Sequence, residues 1–295
     1  MSWDLLTAHG WQGLTLAVWV ALSVGSFLNV VIYRLPLMMQ REWKDQAREI
    51  LSDEQDAQPE TQNDPAHDQE TFNLSVPRSH CVACGHAIRF WENIPILSWL
   101  FLRGRCSACA APISWRYPGV EAITAALTIA TLAQFGFTAF GLAACFLTWG
   151  LVALTFIDYD TKLLPDQITL PLLWLGLFAN GFLGGIVSLE EAVTGAILGY
   201  GFLWLTYWGF KLVTGKEGMG YGDFKLLGAL GAWLGWMVLP GIILISAISG
   251  LLYAGLSFLR RQRAGGESIP FGPFLAFAGW VALIFRDNVL RLFLS

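Results

Sequence analysis

The sequence is poor in charge and in the motifs of most soluble active sites. Of its 295 residues, 14% are charged and four are histidine, whereas 55% are hydrophobic. It contains no Ser/His/Asp arrangement, no HExxH motif, no P-loop and no Asp-Thr-Gly triplet of the kind found in soluble aspartic proteases. The mean hydropathy of +0.53 instead indicates a polytopic membrane protein.

Charge is unevenly distributed along the chain. The net charge of -4 argues against a nucleic-acid partner. The first ten residues, MSWDLLTAHG, contain Asp4 and no Lys or Arg, so they make a poor start for a cleaved signal peptide. We therefore interpret the first apolar run as a retained helix.

Several apolar runs approach the length of about 20 residues that crosses a bilayer as a helix. They lie near 11–33, 118–137, 140–157, 168–187, 191–212, 238–259 and 269–286. A shorter run at 224–237 is interpreted as an eighth. The sequence thus predicts an all-α polytopic membrane protein with about eight transmembrane helices, and lipid as its surroundings.

The apolar runs divide the chain into three parts. Residues 1–33 form an N-terminal transmembrane helix, residues 34–117 form a polar loop, and residues 118–295 form the main transmembrane region. Within the loop, residues 53–70 have the composition of a disordered acidic linker. The rest of the loop holds four cysteines and several aromatic residues.

The positive charges predict the orientation, because cytoplasmic loops are enriched in Lys and Arg. Nine of the 18 basic residues lie in 34–117. If this loop is cytoplasmic and there are eight spans, Arg260, Arg261 and Arg263 are also cytoplasmic, whereas Arg286 and Arg291 are not. The N-terminus is then periplasmic.

Two acidic motifs meet at the cytoplasmic face in this topology. Asp158 directly follows an apolar run, and Asp223 precedes another in GMGYGD. Either aspartate alone is well explained as a helix cap; as a pair, two close carboxylates share one proton and can act as base and acid toward water. Asp160 and Asp166 compete for this role, although Asp166 is better suited to capping a helix.

Glycines surround the second acidic motif. Gly218, Gly220 and Gly222 remove side chains near Asp223, so we expect a backbone that can adopt positive φ and be approached closely by a substrate. Glycine is also common in membrane helices for packing alone.

Four cysteines form two CxxC units, CVAC (81–84) and CSAC (106–109). Paired CxxC units are typical of zinc held by four thiolates, here Cys81, Cys84, Cys106 and Cys109. A disulfide or redox pair is the main alternative, but cytoplasmic thiols stay reduced. His80 and His86 flank the first unit and are interpreted as solvated residues or spare ligands.

These segments together resemble one family, the prepilin peptidases, also called type 4 prepilin leader peptidases. The resemblance rests on GSFLNVVIYRLP (25–36), CVACGHAIRFWENIPILSWLFLRGRCSACAAPISWRYPGVE (81–121), DYDTKLLPD (158–166) and GMGYGDFKLLGALGAWLG (218–235). They follow the family's order over most of the chain. Val82 stands where the family usually has proline.

The resemblance implies a GxGD-type membrane aspartic protease of the inner membrane, with Asp158 and Asp223 as catalytic residues and 118–295 as the peptidase core. It further implies substrates that are prepilins and pseudopilins of type IV pilus and type II secretion systems, cut after a basic leader at the cytoplasmic face. Members with the cysteine loop also methylate the new N-terminus with S-adenosylmethionine. The sequence shows no glycine-rich cofactor loop, so no residue is assigned to that cofactor.

Two other classes of function remain open at this point. In a proton-coupled transporter, Asp158 and Asp223 would be relay groups, but this leaves the four cysteines unexplained. A zinc-bearing membrane scaffold would have no chemistry. A prepilin peptide shortened by the purified protein would separate an enzyme from both.

Overall fold

The computed structural model describes residues 10–55, 72–259 and 269–294. Within these ranges the protein is helical, with two isolated backbone bridges and no longer strand pairing. The predicted all-α class with a four-cysteine cluster between the first two long helices is confirmed. Most of the acidic linker predicted at 53–70, the first nine residues and the Arg260–Arg263 basic cluster lie outside the described residues.

The apolar runs predicted from the sequence each coincide with a helix. In chain order, the α-helices of the described ranges are α1 (Gly10–Gln55), α2 (Leu97–Phe101), α3 (Arg116–Phe135), α4 (Ala139–Thr161), α5 (Asp166–Phe182), α6 (Leu189–Thr214), α7 (Tyr221–Leu234), α8 (Leu239–Leu259), α9 (Gly272–Ile284) and α10 (Arg286–Leu294). A 3₁₀ turn at Phe90–Asn93 precedes α2, and another at Trp236–Val238 joins α7 to α8.

Fewer of the described helices than the eight predicted spans are long and apolar enough to cross a membrane alone. Among the described residues, three segments are by themselves long and apolar enough to cross a membrane: Gln12–Leu51, Ala139–Thr161 and Trp236–Leu259. Helices α9 and α10, bent by 104°, add a fourth if they form one span. Helix α7 has 14 residues; at about 21 Å it is shorter than the roughly 30 Å hydrocarbon core. The total of eight stays a prediction.

The first helix continues well beyond its apolar run. The run ends near residue 33, but α1 extends to Gln55. The added segment is rich in Glu, Lys, Arg and Gln, which favour a helix, and Asp45 pairs with Arg48 one turn later at 3.7 Å. The first part of the predicted polar loop is therefore helical, because hydropathy marks where membrane contact ends and not where the backbone leaves the helix.

Helix α7 is the centre of the bundle. Every residue from Phe224 to Leu234 is buried except Lys225. Helix α6 packs closely along it through glycines: a Cβ on Gly199 would lie 2.6 Å from the carbonyl oxygen of Leu227. Small residues allow the backbones of membrane helices to approach in this way.

The helices around α7 bring several of their ends to one end of the bundle. The last turn of α4 contacts the start of α9 through Asp158 and Gly272, and Leu164, just before α5, contacts Gly222 at the start of α7. At the opposite end, the Asn180 side-chain amide donates hydrogen bonds to the carbonyl oxygens at the end of α7. The two acidic motifs, with Asp158 and Asp223, therefore lie at the same end of the bundle.

Candidate active site and metal centre

Asp158 lies in the last turn of α4 and is 5% exposed. Its Oδ2 accepts a hydrogen bond from the backbone N–H of Gly272 at 2.9 Å. Gly272 is the first residue of α9, so this N–H belongs to a helix N-terminus, where donors have no partner within the helix and attract negative charge. The start of α9 therefore holds one oxygen of Asp158 in place.

Asp223 lies in the first turn of α7 and is 7% exposed. Its Oδ1 is buried and has no hydrogen-bond partner among the described residues. Asp223 lies near Asp158, because Leu164 contacts both Gly222, which precedes Asp223, and Gly272, whose N–H is bonded to Asp158. The fold thus brings together the two aspartates that the sequence placed in separate motifs, 65 residues apart by their numbers.

The glycines around Asp223 have a different role from the one expected. None of Gly218, Gly220 and Gly222 has a positive φ, so this part of the expectation is wrong. Gly222 instead allows close packing, because a Cβ there would lie 2.6 Å from the Cβ of Leu164. A Cβ on Gly220 would meet nothing nearer than 3.9 Å, so this glycine is not required by packing.

Asp160 and Asp166 are both held in ion pairs that join separate helices. The Asp160 carboxylate accepts two hydrogen bonds from the Arg116 guanidinium, at 3.0 and 2.5 Å. Lys225 lies 2.7 Å from each carboxylate oxygen of Asp166. Pro165, not Asp166, is the N-cap of α5, so the expected capping role of Asp166 is wrong.

Sequence reasoning missed Gly272 as a part of this site. The contact with Asp158 joins residues 114 positions apart, and neither hydropathy nor a carboxylate motif points to it. A local signal was present: Pro270, Gly272 and Pro273 stand in IPFGP, at the start of an apolar run. Proline just inside a helix start is a common start signal, and Gly-Pro marks a turn, so this stretch predicts a helix N-terminus.

The four cysteines of the two CxxC units form one cluster. The Sγ atoms of Cys81, Cys84, Cys106 and Cys109 all lie within 4.8 Å of one another. The Sγ atoms of Cys81 and Cys109 are 3.9 Å apart. A tetrahedron with Zn–S bonds of about 2.3 Å requires sulfurs about 3.8 Å apart, whereas a disulfide requires about 2.05 Å. The cluster therefore fits a metal ion, and none of the four is in a disulfide.

The two CxxC units have the same backbone structure. The Cys81 N–H donates to the carbonyl oxygen of His86 at 2.9 Å, and the Cys106 N–H donates to that of Ala111 at 2.8 Å. In each unit the residue after the second cysteine is left-handed, with φ of 71° at Gly85 and 58° at Ala110. This repeated turn directs both thiols of each unit toward the other unit.

Backbone N–H groups favour thiolates in this cluster. Those of Ala83 and Cys84 lower the pKa of Cys81 to about 7. That of Cys109, followed by that of Ala108, lowers the pKa of Cys106. Thiolate is the form that binds metals, so the turns favour the ligand state at Cys81 and Cys106. At Cys84 the N–H of His86 lowers the pKa, but hydrogen bonds with the other thiols, that of Cys109 first, raise it overall to about 12.

The neighbouring histidines do not join the four sulfurs. His86 Nε2 lies 3.4 Å from Glu92 Oε2, and His80 Nδ1 lies 3.0 Å from the carbonyl oxygen of Arg78. Neither belongs to the group of potential ligand atoms found among the described residues. The sequence left two interpretations of these histidines, as spare ligands or as solvated residues. The contacts do not favour the interpretation as spare ligands.

The cysteine loop is fastened to the helices by buried charged residues. Arg34 of α1 donates to the carbonyl oxygens of Asn73, at 2.9 Å, and Pro77, at 2.6 Å. Glu121 of α3 accepts a hydrogen bond from the N–H of Ile96 at 2.7 Å. Buried charges are costly unless they are paired in this way, so these contacts fix the loop against α1 and α3.

The arrangement provides two chemically distinct centres. Two buried carboxylates at helix ends can share a proton and transfer it to and from a water molecule and a substrate. Four sulfur ligands, with no further potential ligand among the residues that the structure describes, match a closed, structural metal site. Both lie toward the same end of the bundle, since Arg116, just after the second CxxC unit, pairs with Asp160.

Comparison with known proteins identifies matches over most of the chain. A family model described as the bacterial peptidase A24 N-terminal domain matches residues 19–135, and the model of the type IV leader peptidase family matches residues 145–255. No solved structure matches this chain.

Three curated relatives are each named prepilin leader peptidase/N-methyltransferase. The one from Aeromonas hydrophila is 53% identical over 300 residues, covering 100% of this chain and 99% of the relative. The one from Stutzerimonas stutzeri is 55% identical over 280 residues, covering 95% and 93%. The one from Pseudomonas aeruginosa is 50% identical over 292 residues, covering 99% and 97%.

Proposed function

The chain belongs to the type IV leader peptidase family, and from this membership we propose that it cuts the leader peptide from prepilins and then methylates the new N-terminus. Pseudopilins of type II secretion are further proposed substrates. The observation that carries the peptidase proposal is the pair of buried carboxylates, Asp158 and Asp223, at one end of the bundle. It is supported by relatives of the same name that match nearly the whole chain.

Asp158 and Asp223 are proposed to act as one catalytic unit. One carboxylate accepts a proton from a water molecule, whose oxygen attacks the scissile carbonyl carbon. The other carboxyl group gives a proton to the amide nitrogen as the C–N bond breaks. The Gly272 N–H, bonded to Asp158 Oδ2, orients that carboxylate, while Asp223 Oδ1 is not bound by a described protein group. Water is the nucleophile, and no covalent intermediate with the protein is needed.

Replacing either aspartate by asparagine should remove nearly all cleavage. Asparagine keeps the size and most hydrogen bonding but cannot act as an acid or base, so Asp158→Asn and Asp223→Asn should each lower kcat by about 10²- to 10⁴-fold. The double variant should be little worse than either single variant, because the two act as a unit. Cleavage of a prepilin by folded enzyme in membranes is the measurement.

Asp160→Asn is the matched control, because Asp160 lies two residues from Asp158 but pairs with Arg116. It should keep far more activity than Asp158→Asn. The pH–rate profile of the unaltered enzyme should report two apparent pKa values that belong to the pair. Substantial cleavage by folded Asp158→Asn or Asp223→Asn enzyme would falsify the assignment. A proton-coupled transporter would leave the prepilin uncut in every variant.

We propose that the active end of the bundle and the cysteine loop face the cytoplasm at the inner membrane, with the N-terminus in the periplasm. The excess of Lys and Arg in 34–117 supports this orientation. The position of the cysteine loop also supports it, because the Arg116–Asp160 ion pair joins this loop to the end of the bundle that carries Asp158.

The orientation predicts which engineered cysteines an impermeant reagent reaches in intact cells. Glu60→Cys should react only after the cells are permeabilised, whereas Thr7→Cys should react from outside. Labelling of Glu60→Cys in intact cells, with Thr7→Cys protected, would reverse the proposed topology.

We propose that zinc occupies the four-cysteine cluster. Cys81, Cys84, Cys106 and Cys109 would hold it, and the sulfur spacing and the backbone turns support this ion over other uses of the thiols. With four protein ligands the metal would be structural, stabilising a loop too small to have a large core.

The purified protein should contain about one zinc per chain. Cys84→Ser should lower that content and make the loop more sensitive to protease, because metal binding and loop folding share their free energy. Cys145→Ala is the matched control, since Cys145 is buried in α4 outside the cluster, and it should keep its zinc. Active protein without metal in elemental analysis would rule the proposal out.

We propose S-adenosylmethionine as the methyl donor and residues 1–117 as the region where methyl transfer takes place. The donor supplies a methyl group on a positively charged sulfur, which the new N-terminal amine takes up as it loses a proton. The peptidase aspartates lie in α4 and α7, outside this region, which supports a separate methylation site.

Separate sites predict that methylation survives the loss of cleavage. Asp158→Asn and Asp223→Asn enzymes should transfer labelled methyl groups to a pilin that has already been cut, at a rate close to that of the unaltered enzyme. Failure of these two variants alone would show a shared site. Failure of every form, including the unaltered enzyme, would remove methyl transfer from the proposed function.

A further inference from the structure

The segment Leu163–Asp166, which we call the LLPD segment, lies between the two catalytic motifs in space. It joins α4 to α5. The Leu164 side chain packs against two glycines: a Cβ on Gly222 would lie 2.6 Å from Leu164 Cβ, and one on Gly272 would lie 3.1 Å from Leu164 Cδ2. One leucine therefore touches both the start of α7 and the start of α9.

Both glycines adjoin a proposed catalytic aspartate. Gly222 directly precedes Asp223 in the first turn of α7. The N–H of Gly272 is bonded to Asp158 Oδ2, and a Cβ on Gly272 would lie 2.6 Å from that same oxygen. Leu164 therefore lies against the backbone beside both carboxylates.

The LLPD segment is fixed to α7 by an ion pair at its end. Lys225 Nζ lies 2.7 Å from both carboxylate oxygens of Asp166. Lys225 is two residues beyond Asp223, in the same helical turn, and interrupts an otherwise buried run. The Lys225 ammonium group therefore joins α7, which carries Asp223, to the LLPD segment. Leu164 of this segment lies between Gly222 and Gly272.

We propose that the LLPD segment is a clamp that sets the separation of the two carboxylates, and that Lys225 and Asp166 are positioning residues that hold it closed. The proposal rests on the proposed peptidase role of Asp158 and Asp223. A displacement of about 1 Å in such a site can cost about 100-fold in rate. The Lys225 and Asp166 side chains are 28% and 50% exposed, so their pair adds little to folding stability. Its effect should therefore appear in kcat.

A double-mutant cycle on the full-length enzyme in membranes tests this clamp. Lys225→Met keeps the length of the side chain without its charge, and Asp166→Asn keeps the size of its partner. Each should lower kcat for prepilin cleavage by about 10- to 100-fold, with KM changed by less than about twofold because the substrate contacts remain. The double variant should be no slower than either single variant. Lys225→Arg, which keeps a charged two-bond donor, should restore most of the rate.

The pair of Lys211 and Glu217 provides the matched control. These side chains are bonded at 2.9 Å, near the end of α6 that faces the start of α7. Lys211→Met and Glu217→Gln should leave kcat within about twofold of the unaltered enzyme, since this ion pair does not involve the LLPD segment. Thermal unfolding and methylation of a pre-cut pilin show that each variant is folded.

Three results would overturn the clamp: an unchanged kcat in Lys225→Met, losses that multiply in the double variant, or equal losses in the Lys211 and Glu217 controls. Failure of the clamp is distinct from failure of the proposed function. If Asp158→Asn and Asp223→Asn are inactive while Lys225→Met is fully active, the clamp alone is wrong. If Asp158→Asn still cleaves, the catalytic assignment is wrong, and the clamp is overturned with it.

Discussion

The two buried carboxylates lie at helix ends, where the backbone has free hydrogen-bonding groups, and the arrangement of the helices follows from this. Within hydrocarbon each backbone N–H and C=O needs a partner in the protein, and a continuous helix uses all of them except those at its ends. Here one free donor of a helix start, the N–H of Gly272, is placed against the carboxylate of Asp158. The other carboxylate, Asp223, lies in the first turn of α7. Positive helix N-termini thus offset part of the cost of burying acids.

The short helices α7 and α9 make this arrangement possible. With 14 and 13 residues, they are about 21 and 20 Å long, so their N-termini can lie where the longer α4 ends. The far end of α7 also needs partners. Asn180 supplies them: its amide donates to the carbonyl oxygens of Ala232 and Trp233, at 2.9 and 3.0 Å, while its oxygen accepts from Ile186 and Val187. Helix α7 is therefore held by polar contacts at both of its ends.

Much of this fold can be predicted from the sequence, because its strongest signals are local. Apolar runs located the membrane helices, and a carboxylate next to such a run identified Asp158 and Asp223 as candidates. Two CxxC units predicted the cysteine cluster, which the structure brings within 4.8 Å. In each case the signal is a short stretch of sequence, or a residue type that has few other roles in an apolar chain.

Contacts between distant and chemically ordinary residues were not predictable in this way. Gly272 contributes a backbone N–H, which every residue but proline has, so its role depends entirely on where α9 begins. Lys225 and Asp166 are charged residues at an interface, and their partnership appears once α5 and α7 are packed in parallel. The extension of α1 to Gln55 was missed for another reason: a solvated helix has no apolar run to mark it.

The contacts at the active end also connect its two centres. Arg116 is the first residue of α3 and follows the second CxxC unit closely. It pairs with Asp160, the residue before the last of α4, and its guanidinium lies 5.1 Å from the centre of the Phe156 ring. Asp158 stands between these two partners on the same helix. The cysteine loop and the carboxylate pair therefore share a structural element, so the folding of the loop constrains the helix end that carries Asp158.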